Sequence, residues 1–129
     1  ENLIENVADS LNESVSKAIS AGVRRDKIIV DPGFGFGKTV THNLDLLNNL
    51  DVLKSKLGYP MLLGTSRKST IGKVLNLPEG QRVEGTAATM AIAISQGVDI
   101  IRVHDVEYMV RVAKMSDAIV RDSSGNEIN

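Results

Sequence analysis

Asp31, Lys68, Arg102 and His104 are side chains that together could hold a flat, hydrogen-bonding ligand and an anion, and each sits in a short stretch of unusual composition. Residues 31–39 read DPGFGFGKT: an aspartate, three of the chain's eleven glycines and both of its phenylalanines. Residues 64–70 read GTSRKST, two adjacent cations between serines; hydroxyls and nearby helix N-terminal N–H groups make such a string an anion site. Residues 100–106 read IIRVHDV, in which strand alternation puts Arg102 and His104 on one face, opposite Ile101 and Val103. An arginine inside a strand of a packed sheet is costly unless it meets an anion or a flat ring. One carboxylate, one lysine, one arginine, one histidine, small hydroxyls and two rings suit a ligand with a planar donor edge and a separate anionic group.

Each stretch also has a plainer reading. The glycine-rich segment fails as a phosphate-binding P-loop, because G-x-x-x-x-G-K-[ST] needs glycine where Pro32 stands. It fails as a dinucleotide motif too, since the last glycine of G-x-G-x-x-G falls on Lys38 or Val40. Two readings of it stay open: a tight turn with phenylalanines in the core, or a flexible loop whose exposed rings close on a flat apolar ligand. Asp31 can simply cap the turn that follows it. Arg67 and Lys68 can be a solvated basic loop, and His42, in the first turn of a helix, reads as a surface residue.

These stretches must be carried by elements that local patterns predict. Leu3, Val7, Leu11, Val15, Ala18 and Ile19 form the apolar stripe of a helix over 3–19, stopped by Gly22. The β-branched run from Lys27 to Val30 predicts a buried strand, closed by Pro32. A single helix is expected from a Thr41 N-cap through Leu44, Leu47, Leu50, Leu53 and Leu57 to Gly58, with Pro60 beyond it. YPMLLG repeats the strand pattern, NLPEGQ reads as a loop, and the alanine-rich stretch from Val83 predicts a helix ending at Gly97. VDIIRVH is a third strand, followed by a helix N-capped by Asp105, with Glu107 in its first turn, running through Val110 and Met115. The closing RDSSGNEIN is a polar, frayed tail. Strands starting near Lys27, Met61 and Asp99 with a helix in each gap predict an α/β chain with a parallel sheet. The odd polar residues then fall at the C-terminal ends of the strands, the edge that carries active sites in α/β barrels and open parallel sheets.

Composition removes several classes. With 129 residues, 42% hydrophobic and 24% charged, the chain is one soluble globular domain in size and make-up. No apolar run approaches the roughly 20 residues a membrane span needs. Fifteen basic against sixteen acidic side chains leave a formal charge of −1, so no global field recruits nucleic acid or an anionic membrane. The absence of cysteine excludes disulfides, thiolate metal sites and cysteine nucleophiles and agrees with a reducing cytoplasm, while two distant histidines argue against zinc. The opening ENLIENVADS carries no signal peptide and reads as a start in the middle of a domain.

DPGFGFGK after one strand, GTSRKS after the next and RVHDV on the third, in that order, resemble the dihydropteroate synthase family, and the likeness runs through essentially all of residues 1–122. The resemblance implies a (β/α)8 TIM barrel, which takes about 250 residues. The chain is then expected to be the C-terminal part of it, strands 6 to 8 with their helices: one partial pterin-binding domain over 1–129, polar from about 122. The implied activity, a transferase step of folate biosynthesis, joins 6-hydroxymethyl-7,8-dihydropterin diphosphate to 4-aminobenzoate and releases diphosphate.

Carried over by resemblance, Asp31 binds the amino-pyrimidine edge of the pterin. Lys68 hydrogen-bonds its polar edge, and Arg102 stacks on its plane and, with His104, holds the diphosphate. Phe36 and Ser69 take the aminobenzoate ring and carboxylate, with Gly35, Gly64 and Val103 also among the substrate-binding positions. Lys68, Arg102 and His104 are the catalytic set, and no metal ligand falls in this sequence. Mg²⁺ as cofactor is expected on the N-terminal part of the family's barrel, whose loops and pterin-binding residues are absent from this sequence. The family further implies small-molecule substrates, no nucleic-acid or membrane partner, a homodimer for the full-length enzyme, a cytoplasmic location and competition by sulfonamides. The 129 residues alone are expected to have no turnover. Other readings are a methyltetrahydrofolate-type pterin-binding methyltransferase barrel and a non-catalytic phosphate-binding module.

Overall fold

The computed structural model describes residues 2–121, so the polar tail expected from about 122 lies outside the described residues. Helix α1, Leu3–Ser20, begins where the Asn2 side chain accepts the Glu5 N–H at 3.2 Å and stops before Gly22, at φ +100°. It buries Ile4 and Ala8, outside the expected stripe, together with Val15, and rests Leu3, Val7 and Leu11 on the core, whereas Ile19 is exposed.

The expected first strand is shorter than its pattern. Arg25–Lys27 form a 3-10 turn, and only Val30 pairs, in parallel, with Met61. Two short strands follow, β1 (Leu62–Leu63) and β2 (Ile100–Ile101), paired in parallel with Leu62 beside Ile100 and Leu63 beside Ile101. The ladder runs across all three: Leu62 N–H donates to the Val30 carbonyl (2.8 Å), Ile100 N–H to that of Met61 (3.1 Å) and Arg102 N–H to that of Leu63 (3.0 Å). A strand bonded on one side only leaves a row of N–H and C=O groups open at the sheet edge. Here the outer two runs are bonded on one side, and Ile29 and Ile100 are exposed.

The helix expected over 41–57 is two. Thr39, not Thr41, caps α2 (Val40–Asn48), accepting the His42 N–H at 3.1 Å, and α3 (Leu50–Leu57) ends in Gly58 at φ +73°. The break is chemical: the Asn49 side-chain amide donates to the Asp45 carbonyl at 2.8 Å, diverting the backbone where the leucine stripe continues unbroken. Leu46, Leu47, Leu50, Leu53 and Leu57 are all buried across the break. After β1 come α4 (Ser69–Leu75), a 3-10 turn at Glu79–Gln81 and α5 (Val83–Ser95), and after β2 comes α6 (Val106–Val120). Met61, Leu63, Met90 and Met109 complete one continuous core between the rungs and the helices. No described helix is long and apolar enough to cross a membrane.

Candidate active site

Glycine spacing in the first turn follows from its backbone. Gly33, Gly35 and Gly37 lie at φ +74°, +84° and +63°, a left-handed region that a Cβ disfavours. The residues between them alternate inward and outward. Phe34 is 1% exposed and belongs to the core, whereas Phe36 is 70% exposed. Of the two open readings of the rings, the core reading holds for Phe34, and Phe36 has the exposure that the loop reading asks for. Asp31 does cap the turn, its carboxylate accepting the Gly33 N–H at 2.8 Å.

Side chains brace this turn from below. Lys38 Nζ donates to the carbonyls of Gly33 (2.9 Å) and Phe36 (3.2 Å). Asn43, buried on the apolar face of α2, accepts from Gly35 N–H (2.9 Å) and donates to Thr70 Oγ1 (2.9 Å). Lys68 Nζ donates to the Phe34 carbonyl at 2.6 Å and lies 4.7 Å from the centre of the Phe36 ring, within cation–π range. Burial lowers the pKa of Lys38, against the pull of Asp31. Burial and the neighbouring Arg102 lower that of Lys68, again with Asp31 opposing and Lys38 adding to the fall.

The second turn, after β1, is held more deeply. Thr65 and Ser66 are buried, and Ser66 Oγ accepts the His104 backbone N–H at 3.0 Å while bonding His104 Nδ1 at 2.8 Å. Those two bonds fix the imidazole over the end of β1. Gly64 leaves room for Arg102: a Cβ there would stand 2.7 Å from Nη2 of the guanidinium. Arg67, at φ +58°, forks onto Asp105, with Nη2–Oδ1 at 2.8 Å and Nε–Oδ2 at 3.3 Å. Asp105 occupies the N-cap position of α6 as expected, yet its side chain makes no capping bond. The carboxylate serves Arg67 instead.

Gly64, Ser66, Lys68, Arg102, Val103 and His104 thus line one recess of about 280 Å³ at the C-terminal ends of the rungs. Of the remaining candidates, Phe36 lies against Lys68, and a Cβ on Gly35 would stand 3.2 Å from Lys68 Cδ. Asp31 is not in the wall of this recess; it lines a separate groove beside α1, and its charge reaches Lys38 and Lys68. Ser69, exposed, opens α4 next to Lys68. Among the described residues no three His, Asp or Glu side chains come together to hold a metal ion. Cations outnumber carboxylates at this mouth, so its donors fit an anion and not Mg²⁺.

Residues 1–104 match the family described as pterin binding enzymes. The chain belongs to the pterin-binding enzyme family. Among its pterin-binding relatives, a dihydropteroate synthase of Clostridium beijerinckii is 54% identical over 121 residues, covering 93% of this chain and 45% of the relative. One of Bacillus subtilis is 51% identical over 118 residues, covering 92% and 41%. In three dimensions the chain superposes on the Clostridium difficile dihydropteroate synthase, solved in the presence of pteroic acid, with a TM-score of 0.91 and 49% identity over 95% of this chain and 46% of that one. The Yersinia pestis synthase in a sulfonamide drug complex gives 0.89 and 39% over 92% and 43%. The chain therefore spans somewhat less than half the length of the pterin-binding relatives it matches.

Proposed function

We propose that this sequence is the C-terminal part of a dihydropteroate synthase, strands 6 to 8 of a (β/α)8 barrel with their helices, and that it carries the wall gripping both substrates. The observation that carries the reading is the convergence of Lys68, Arg102 and His104 on one recess at the ends of adjacent parallel rungs, with the exposed Phe36 ring against Lys68. Asp31, its second oxygen not used by the Gly33 N–H, accepts from the amino-pyrimidine edge of the pterin. The Arg102 guanidinium stacks on the pterin plane and shares the diphosphate with His104. Lys68 bonds the polar edge of the pterin and lays its stem beside the aminobenzoate ring, which Phe36 walls and whose carboxylate Ser69 meets. Sulfonamides compete there.

In the reaction the C–O bond from the exocyclic methylene to diphosphate breaks, and the electron-rich pterin spreads the positive charge that develops. The arylamine nitrogen then forms the new C–N bond and gives up a proton. No covalent enzyme intermediate is required. These side chains contribute anion stabilisation and alignment, while Mg²⁺ is assigned to residues outside this sequence. A cytoplasmic location and a homodimer complete the reading, the homodimer alone drawing support from the exposed Tyr108, Met115 and Ile119 of α6.

Calorimetry with pteroic acid and with inorganic phosphate tests it. The chain is expected to prefer pteroic acid and to lose that preference on Asp31→Ala. Equal response to phosphate alone, indifferent to Asp31→Ala, makes it a phosphate-binding module instead. The 129 residues alone should give no dihydropteroate, because strands 6 to 8 supply only part of the barrel's cavity wall.

A further inference from the structure

Arg67 and Asp105 lie in two of the signature stretches, yet neither holds ligand in the proposed function. Their geometry is not that of a casual surface pair. Arg67 is one of two non-glycine residues at positive φ among the described residues, a conformation that the surroundings must impose. Three contacts do so. Its N–H donates to Oγ1 of the fully buried Thr86 (3.2 Å), its carbonyl accepts from Arg82 Nη1 (2.8 Å), and its guanidinium forks onto Asp105. A forked arginine–carboxylate pair constrains angle as well as distance. The hydrogen bond from Arg67, with its charge, also holds the Asp105 carboxyl below the usual aspartate range.

What lies on either side of the pair gives it consequence. Lys68 follows Arg67, His104 precedes Asp105, and Ser66, on the other flank of Arg67, bonds His104 twice. The fork is therefore a tie between the turn after β1 and the turn after β2, across the mouth of the recess. We propose that the Arg67–Asp105 pair is a positioning device for the reaction, fixing Lys68 at the ring-binding end relative to His104 at the diphosphate end. Neither side chain touches substrate. Because each end keeps its own binding groups, losing the tie harms alignment more than affinity, and misplacement by ~1 Å costs on the order of 10²-fold in rate.

The inference rests on the synthase reading and is tested in the complete barrel containing this sequence. Asp105→Asn keeps the shape but accepts from only one arm of the fork; Arg67→Gly relieves the positive φ and removes the whole side chain, guanidinium and stem together. Each should lower kcat roughly 10- to 100-fold with KM for either substrate shifted less than about three-fold. The double variant should be no worse than the poorer single, and Arg67→Lys should recover part of the loss. With an active wild type, unchanged kcat in both single variants, additive losses, or losses that vanish on correction for the folded fraction overturn the inference. A wild type that makes no dihydropteroate sinks the synthase reading instead. The positioning claim is then decided by NMR of the His104 ring and the Lys68 ε-methylene: displaced signals in folded Asp105→Asn support it, and unchanged signals overturn it.

Discussion

The turns that leave two neighbouring rungs, 31–39 and 64–69, stand at the same edge and are fixed in opposite ways. The first uses glycine at three left-handed positions, so its backbone is permitted there without help, and much of its bracing comes from two lysine termini on its carbonyls. The second places an arginine in the left-handed region and needs α5 and α6 to keep it there, through Thr86, Arg82 and Asp105. Lysine–carbonyl bonds at a half-exposed mouth are ones that a ligand with its own acceptors competes for. Bonds to a buried hydroxyl are not. The difference separates a turn braced by lysine–carbonyl bonds from one held partly to a buried hydroxyl, and Lys68 reaches from the second to the first.

Asn43 ties the first turn to α4, the helix that follows the second, and its loss has the largest expected effect. Asn43→Ala leaves the buried Thr70 hydroxyl without its donor, frees Gly35 N–H and opens a cavity on α2. We expect a destabilisation of roughly 2–3 kcal/mol, read as a shifted urea midpoint, together with weaker binding of pteroic acid. An unshifted midpoint would mean that these two bonds add nothing to stability.

Asn43 also marks what could be read from the chain. It falls on the stripe with Leu46, Leu47 and Leu50, and a polar residue at a core position of a predicted helix is a local signal of a buried hydrogen-bonding role. The helices and the gathering of polar residues at one sheet edge were legible because both follow from spacings of a few residues. The brevity of the strands was not, since ladder length depends on neighbours that no local pattern reports. The break at Asn49 was hidden by a leucine stripe that runs through it, and the shift of the cap to Thr39 by a second threonine two residues on. Which phenylalanine faces inward was undecidable with glycine on both sides of each. Asp105 reads as a helix cap by its position, and only the fold reveals that a residue 38 positions earlier takes its carboxylate.

Within the first turn the backbone claim can be sharpened. Gly37, at φ +63°, has open space where a Cβ would go, whereas a Cβ on Gly35 would press on Lys68 Cδ at 3.2 Å. Gly37→Ala should cost only the left-handed strain, about 1–2 kcal/mol, and leave pteroic acid affinity within about two-fold. Gly35→Ala should cost a similar amount of stability and also displace Lys68, lowering affinity by about ten-fold or more. Equal affinity losses in the two would mean that the turn acts through its backbone alone.

The smallest effect concerns the held turn and its acid sensitivity. Asp105 has its folded pKa lowered by the Arg67 hydrogen bond, and Asp99 is also lowered, because bonds from Lys54 and the Met61 N–H outweigh the opposing effect of burial. A carboxyl depressed on folding contributes stability that is complete above its unfolded value, about 3.9, and is lost as pH falls through the lower folded value. The Arg67 and Asp105 side chains are 38% and 21% exposed, so solvent screens the pair and the contribution is small. The gap in urea midpoint between wild type and Asp105→Asn should accordingly be constant from neutral pH to about pH 5 and close below about pH 4. A gap that persists undiminished at the acid end would show that the carboxylate stabilises the turn by shape and not by charge, and the fork would then differ from the glycine turn in packing alone.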